Sequence, residues 1–234
     1  MTEKTPLILV PGLLCTALLW RSQLDGLAAI ADMAVPAAQR EHDSLPRIAE
    51  AILAAAPPRF ALAGLSFGGY VCFEIMRQAP ERVTRLALLD TSARPDTEEQ
   101  LERRRALLKL AQSGRFLGVT DRLLPLLIAA TRLEDASLVA DVKTMAQDVG
   151  REGFLRQQKA IMARPDSRPT LARIACPTLV LCGREDALTP LDRHEEMAAG
   201  VAGSKLVVIE DCGHLSTMEK PAEVNAAMRA WLGA

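Results

Sequence analysis

The sequence predicts an α/β fold with a mainly parallel sheet of about six strands, flanked by helices and interrupted by an inserted block of helices. Two observations support this prediction. Short apolar runs of strand length alternate with longer amphipathic runs, which is typical of a parallel sheet covered on both faces. Between residues 89 and 177, by contrast, the pattern is helical and contains no convincing strand.

The six candidate strands are apolar nearly throughout, as expected for strands buried on both faces. They are 7–10, 33–36, 60–63, 85–89, 178–182 and 205–209. The candidate helices between them are 16–30, 44–56, 67–79, 190–200 and 220–232. Asp43 is expected to cap the second of these helices, and Pro190 is expected in the first turn of the fourth.

The inserted block is predicted to contain only helices, because apolar residues recur there at helical spacing with charged residues between them. The predicted helices are 97–112, 115–131, 135–149 and 151–163, followed by an exit at 165–169. We therefore expect an α/β core formed by 1–93 and 169–234, and a helical insertion over 94–168.

Composition restricts the classes of partner. The chain has 234 residues, a formal net charge of −1 and 49% hydrophobic residues. A charge this close to zero gives no electrostatic case for nucleic acid or an anionic membrane as a partner. No apolar run approaches the length of a membrane span, and the N-terminus lacks the layout of a signal peptide.

The five cysteines are an odd number, and no pair of them has the spacing of metal ligands. They are Cys15, Cys72, Cys176, Cys182 and Cys212. Buried, reduced thiols in a cytoplasmic protein are the expected state.

Ser66 lies in GLSFGG, where a strand-length run meets a helix-length run. Gly64-x-Ser66-x-Gly68 matches the nucleophile elbow, a strained turn that raises the serine hydroxyl above the sheet at a helix N-terminus. The alternative is a glycine-rich turn with an incidental serine. The flanking strand and helix favour the nucleophile.

A serine hydroxyl needs a base, and the chain has three histidines. His42 and His194 lie in charged, polar surroundings and are expected at the solvated surface. His214 follows the last strand and is therefore expected at the carboxyl end of the parallel sheet, where Ser66 is also expected. We therefore predict that His214 is the base.

The base needs a carboxylate that fixes its tautomer. Asp186 follows the fifth predicted strand and completes the order Ser66, Asp186, His214, which is the order of the α/β-hydrolase triad. There are three alternatives for this acid. Glu185 is adjacent to Asp186, Asp90 ends an earlier strand, and Asp211 belongs to the histidine loop.

These motifs together resemble the α/β-hydrolase fold superfamily, in its serine esterase and enol-lactonase-like branch. GLSFGG is similar to the elbow of that family, GREDALTP to its acid loop and DCGHLSTMEKPAEV to its histidine loop and last helix. The resemblance covers almost the whole chain. It implies the α/β-hydrolase fold, a helical cap formed by 94–168, and a hydrolase that needs no metal or organic cofactor.

Acyl transfer also requires two donors for the developing oxyanion. The resemblance implies the backbone N–H groups of Phe67 and Leu13, with Leu14 as the alternative to Leu13. Relatives commonly carry His-Gly-x where this chain has Pro11-Gly12-Leu13. The supporting hydrogen bonds of this loop are therefore expected to differ.

The expected function is carboxylesterase activity on a small-molecule, uncharged ester of small to medium size. The residues expected to line its acyl pocket are Leu14, Leu117, Leu123, Leu124, Leu126, Leu127, Ile128 and Met162. For any single one of them, membership of the core of the cap is the simpler interpretation. Within the superfamily the alternatives are an enol-lactonase, a carbon–carbon bond hydrolase, a thioesterase or a perhydrolase. A non-catalytic binding protein of this fold is the alternative from another class.

Overall fold

The computed structural model describes residues 4–233, and a six-stranded sheet runs through them. The strands are β1 Thr5–Val10, β2 Ala31–Ala34, β3 Phe60–Leu65, β4 Val83–Leu89, β5 Thr178–Gly183 and β6 Lys205–Ile209. They are arranged in the order β2-β1-β3-β4-β5-β6, and every neighbouring pair is parallel. This confirms the predicted α/β architecture and its strand number.

Eleven helices accompany this sheet in the described residues. Those of the α/β part are α1 Arg21–Gly26, α2 Ala38–Glu41, α3 Leu45–Ala55, α4 Phe67–Gln78, α9 Leu191–Gly200, α10 Ser216–Glu219 and α11 Pro221–Leu232. Those between β4 and β5 are α5 Glu98–Gln112, α6 Leu124–Leu127, α7 Ala136–Met162 and α8 Arg168–Leu171. None of the described helices is long and apolar enough to cross a membrane.

Strand alternation divides the core into two layers. In β1, Ile8 and Val10 join the apolar cluster that contains α3 and α4, whereas Leu7 and Leu9 join the cluster that contains α11. All four are almost completely buried. The two faces of the sheet are therefore both covered, which explains why the sequence of each central strand is apolar throughout.

One predicted helix is wrong. Residues 115–131 contain only the short α6 and a 3-10 turn at Ala130–Arg132. Pro125 lies in the first turn of α6, where its missing N–H is tolerated, whereas a helix running through it would lose a hydrogen bond. Helix α7 leaves helical geometry at Gly150, between the two helices predicted for this stretch.

The two ends of the helical segment between β4 and β5 are joined by buried charges. Asp96 accepts hydrogen bonds from Arg104 at 2.6 Å and pairs with Arg164 at 2.9 Å. The side chains of Asp96 and Arg164 are only 2% and 6% exposed. The guanidinium of Arg164 also lies 4.3 Å from the ring centroid of Tyr70, on α4. One carboxylate therefore fixes the entry and the exit of this segment against the core.

We predict that Asp96→Ala lowers the free energy of unfolding by about 3 kcal/mol, because it leaves the buried Arg164 without its counter-charge. The matched control is Asp121→Ala. Asp121 pairs with Lys143 at 2.6 Å, but its side chain is 85% exposed. The control should cost less than about 1 kcal/mol. Urea unfolding followed by circular dichroism measures both, and equal losses would contradict the assigned role of Asp96.

Candidate active site

Ser66 occupies a strained turn between β3 and α4. Its φ and ψ are 55° and −115°, in a region that non-glycine residues rarely adopt. Its N–H donates to the Leu89 carbonyl at 2.9 Å, and its carbonyl accepts the Thr91 hydroxyl at 2.7 Å and the Gly69 N–H at 2.9 Å. Backbone and side-chain contacts to the end of β4 therefore hold the strained conformation in place.

The close approach of α4 to β1 explains why Gly68 follows the serine. A Cβ atom at Gly68 would lie 2.1 Å from the Val10 carbonyl oxygen. One at Gly64 would lie 2.4 Å from the Gly68 carbonyl oxygen. Both contacts involve backbone atoms that cannot move aside, so only glycine fits. Gly12, in the loop after β1, lies next to Ser66: its ideal Cβ position is 3.5 Å from the Ser66 Cβ.

His214 and Asp186 form a buried pair. The Nδ1 of His214 lies 2.9 Å and 2.8 Å from the two carboxylate oxygens of Asp186. The same carboxylate accepts the Leu188 N–H at 2.9 Å, and both the N–H at 2.9 Å and the hydroxyl at 2.6 Å of Thr189. The acid is thus oriented by its own loop. Its bond to Nδ1 leaves Nε2 as the nitrogen for proton transfer.

The charges of the pair perturb both members. Burial alone would lower the pKa of His214, but the negative charge and hydrogen bond of Asp186 outweigh it and raise this pKa above its usual value. Burial would raise the pKa of Asp186, but the His214 charge and the hydrogen bonds from His214 and Thr189 lower it. Each group therefore stabilises the charged form of the other.

Asp90, one alternative acid, does not contact the imidazole by hydrogen bonding. Its Oδ1 accepts the Gly183 N–H at 3.1 Å, and its Oδ2 accepts the hydroxyl and, at 3.4 Å, the N–H of Ser216. Burial, with the neighbouring charge of Asp186, raises the pKa of Asp90 well above its usual range. Asp90 thus links β5 to the histidine loop. The other two alternatives, Glu185 and Asp211, are exposed.

Glu219 is a site residue that the sequence reasoning missed. Its buried carboxylate accepts the backbone N–H groups of Ala129 at 2.7 Å, and of Gly213 and Leu215 at 3.1 Å. Burial raises its pKa, although these hydrogen bonds oppose the shift. Glu219 therefore ties the histidine loop to the segment after α6. A local signal existed, since GHLSTMEKP places an acid shortly after His214.

Leu13 and Leu14, in the loop after β1, differ in whether their N–H group has an acceptor. The Leu14 N–H donates to Oε1 of Gln157 at 3.0 Å. Among residues 4–233, the N–H groups of Leu13 and Phe67 have no acceptor. Of the two residues considered for the second oxyanion donor, Leu13 therefore has the available N–H group.

The residues expected to line an acyl pocket have diverse positions. Leu14 and Leu124 are buried in apolar clusters, and Leu127 and Met162 are half-buried. The backbone carbonyl of Leu127 accepts hydrogen bonds from the N–H groups of His214 and Leu215, both at 3.1 Å. Leu117, Leu123 and Leu126 are exposed, and the expectation that they line a pocket is wrong for Leu117, which is 78% exposed. Its segment holds no regular helix that would turn it inward.

All five cysteines are unpaired, and four of them are buried, as predicted. Burial raises the pKa of Cys15, beside the loop after β1, to about 12. It also raises the pKa of Cys212. Neither thiol is therefore ionised at neutral pH, which disfavours reactive chemistry at either sulfur.

The expectation that His194 is solvated is wrong. His194 and Met197 are spaced by three on α9, so both face the sheet and are fully buried, while the charged neighbours of His194 lie on the outer face. Nε2 of His194 accepts the Thr91 N–H at 3.0 Å. Thr91 in turn donates its hydroxyl to the Ser66 carbonyl. Burial lowers the pKa of His194 to about 4.

The sequence and the fold of this chain are similar to those of known proteins. The sequence model described as "Alpha/beta hydrolase family" matches residues 7–227. The pimeloyl-[acyl-carrier protein] methyl ester esterase of Nitrosomonas europaea is 26% identical over 186 residues, which cover 76% of this chain and 73% of that protein.

Two solved structures are similar over the full length. A thermophilic esterase from Thermogutta terrifontis has a TM-score of 0.87 and 29% identity, covering 99% of this chain and 90% of that chain. The enol-lactonase from Burkholderia xenovorans LB400 has a TM-score of 0.87 and 22% identity, covering 99% and 92%. At the lower identity, the likeness concerns the fold alone.

We predict that His194 makes stability depend on pH. The pKa of His194 is about 4 in the folded state and about 6.5 when the imidazole is not buried, as in the unfolded chain. Protons therefore bind preferentially to the unfolded chain. This contribution to stability is complete above pH 6.5 and is lost as the pH falls toward 4. Between pH 7 and pH 5 the loss should be about 2 kcal/mol.

The variant His194→Gln keeps an acceptor for the Thr91 N–H but does not titrate. Urea unfolding at the two pH values should show a smaller loss of stability for this variant than for the wild type. An equal loss in both proteins would contradict the assignment.

Proposed function

The chain belongs to the alpha/beta hydrolase family and is a hydrolase, and from this premise we propose that it is a serine carboxylesterase acting through an acyl-enzyme. Its substrates are small to medium uncharged esters. The observation that carries the proposal is the Asp186–His214 hydrogen bond at 2.8 Å, at the carboxyl end of the sheet, where Ser66 caps the start of α4. A nucleophile, a base and an orienting acid then follow the ends of β3, β6 and β5.

In the proposed reaction, Nε2 of His214 takes the proton of the Ser66 hydroxyl as Oγ attacks the ester carbonyl. The same imidazolium then gives its proton to the leaving alcohol. In the second half, His214 activates a water that attacks the acyl-enzyme and frees Ser66. Asp186 holds the tautomer with the proton on Nδ1 and stabilises the imidazolium, as the raised pKa of His214 requires.

The proposed oxyanion donors are the N–H groups of Phe67 and Leu13. Phe67 is the first residue of α4, where unpaired N–H groups and the helix dipole favour negative charge. Leu13 belongs to the loop that packs beside Ser66 through Gly12. The engagement of Leu14 with Gln157 favours Leu13 over its neighbour.

An uncharged ester is favoured over a carboxylated substrate because the two arginines that flank the proposed site loops in the sequence already have counter-charges. Arg21 pairs with Asp141 at 2.6 Å, and Arg184 pairs with Glu210 at 2.7 Å. An enol-lactonase acting on a carboxylated lactone would need a free cationic group. Carbon–carbon bond hydrolase, thioesterase and perhydrolase activity use the same three residues and remain alternatives within the family.

The helical insertion over 94–168 is proposed to form the cap of this site. Leu127, in α6, supports it, because its carbonyl accepts the N–H of His214 while its half-buried side chain packs in the core. Leu14, Leu124, Leu127 and Met162 remain the proposed lining of the acyl pocket.

We predict that a fluorophosphonate probe labels the protein once, at Ser66, because only an activated serine attacks phosphorus rapidly. Intact-mass measurement and peptide mapping detect the adduct. It should be absent in Ser66→Ala and present in the control Ser113→Ala, an exposed serine. Turnover of p-nitrophenyl butyrate should be lost in Ser66→Ala and kept in Ser113→Ala. Labelling without turnover would favour the non-catalytic binding protein over an esterase.

We also predict that kcat/KM rises with pH through an apparent pKa above 6.5. The base must be neutral, and the Asp186 charge raises the pKa of His214 above that value. Asp186→Asn should lower kcat about 10³-fold to 10⁴-fold and shift the remaining profile to lower pH. Initial rates between pH 5 and 9 measure both effects. An unshifted profile would contradict the assignment of Asp186.

A further inference from the structure

Gln157 is a buried amide that joins the helical insertion to the loop after β1. It lies on α7, is fully buried, and accepts the Leu14 N–H through Oε1 at 3.0 Å. The two residues are 143 positions apart in the chain. This hydrogen bond is therefore formed only when the insertion is packed against the core.

The orientation of this amide is fixed, and it leaves one of its groups unpaired. Since the Leu14 N–H can only donate, the side-chain oxygen of Gln157 must face it. Nε2 is then buried without an acceptor among the described residues. A methionine or leucine would fill the same space without burying an unpaired donor. Packing alone therefore does not account for glutamine at this position.

Leu14 has a backbone conformation that needs support. Its φ of 58° lies in the left-handed region, which leucine adopts only when its surroundings impose it. Besides the hydrogen bond to Gln157, its side chain packs in a cluster with Ala146, Val149 and Phe154. All of these residues lie on α7. The insertion thus supplies the contacts that hold Leu14 in the strained conformation.

The strained residue follows directly after the proposed oxyanion donor. Leu13 precedes Leu14, and Gly12 lies beside Ser66. Rotation of the Leu14 backbone toward a relaxed conformation would change the path of this short loop. It would also free the Leu14 N–H to compete with that of Leu13 for the same oxygen.

We propose that Gln157 is a positioning residue of the oxyanion hole: by holding Leu14, it directs the Leu13 N–H at the substrate carbonyl oxygen bound above Ser66. This inference rests on the proposed esterase function. Gln157 does not touch the reacting atoms. It acts on the transition state through the loop, so its loss should affect kcat rather than ground-state binding.

The test compares Gln157→Met with Gln158→Met. Gln158 is the adjacent residue on α7 and is equally buried. Its Oε1 accepts a hydrogen bond from the Arg104 guanidinium at 3.0 Å and not from the loop after β1. Both variants replace a buried amide by a thioether of similar volume. A loss that comes only from destabilising α7 should therefore be similar in the two.

For Gln157→Met, kcat on p-nitrophenyl butyrate should fall about 10-fold to 100-fold, with KM changed less than about twofold. Inhibition by a trifluoromethyl ketone, which forms a tetrahedral oxyanion on the serine, should weaken by the same factor. Gln158→Met should change each of these less than about threefold. Gln157→Asn, which keeps the amide but withdraws it by one methylene, should give an intermediate loss and serves if Gln157→Met does not fold.

Equal effects of the Gln157 and Gln158 variants would overturn the positioning role, as would a loss confined to KM. The wild-type protein separates this failure from failure of the proposed function. If wild type neither turns over the ester nor reacts with the fluorophosphonate, the esterase proposal itself is wrong. If wild type does both, the result for Gln157 concerns only the oxyanion loop.

Discussion

The burial of three carboxylates around the His214 imidazole is the constraint on which the structure at the carboxyl end of the sheet depends. Asp90, Asp186 and Glu219 are each almost inaccessible to water, and a buried carboxylate is costly unless hydrogen bonds compensate it. Each is accordingly supplied with backbone N–H groups, and only Asp186 also receives the imidazole. Because these donors come from the loops after β5 and β6 and from the segment after α6, satisfying the carboxylates also fixes the loops. The position of His214 is thus a result of charge compensation as much as of apolar packing.

The sequence predicted the parts of this arrangement that are encoded locally. Strand and helix alternation follows from the period of apolar residues, and Ser66, Asp186 and His214 each lie in a short stretch with its own turn residues. The side chains that it misplaced or missed act on distant partners. His194 is surrounded by charged residues in sequence, yet the spacing to Met197 turns it inward toward Thr91. The partner of Gln157 is 143 residues away, and no local pattern reveals it. Pro125, by contrast, was a local signal against a long helix at 115–131, and the structure follows it.

The helical segment between β4 and β5 contacts the site from two sides. On one side, the Leu127 carbonyl and the Ala129 N–H hold the histidine loop, directly and through Glu219. On the other, Gln157 holds the loop after β1. The Asp96–Arg164 pair joins the two ends of the segment, and Arg164 also packs on Tyr70 of α4. A lid that only covered a cleft would not need these contacts. Movement of this segment would change both loops together, so in the proposed role of the segment as a cap, access to the site and the geometry of the site are physically linked.

The strand order has a consequence for how the chain assembles during its synthesis. Strands β1 to β4 occupy adjacent positions in the sheet and lie within the first 89 residues, so their pairing does not require β5 or β6 to have been made. The edge of β4 that later receives β5 must wait while 88 further residues, 90–177, leave the ribosome. During this interval an apolar strand edge is unpaired, which is the state in which nascent chains aggregate or recruit chaperones. The helical segment is made in the same interval, and its early packing would shield that edge.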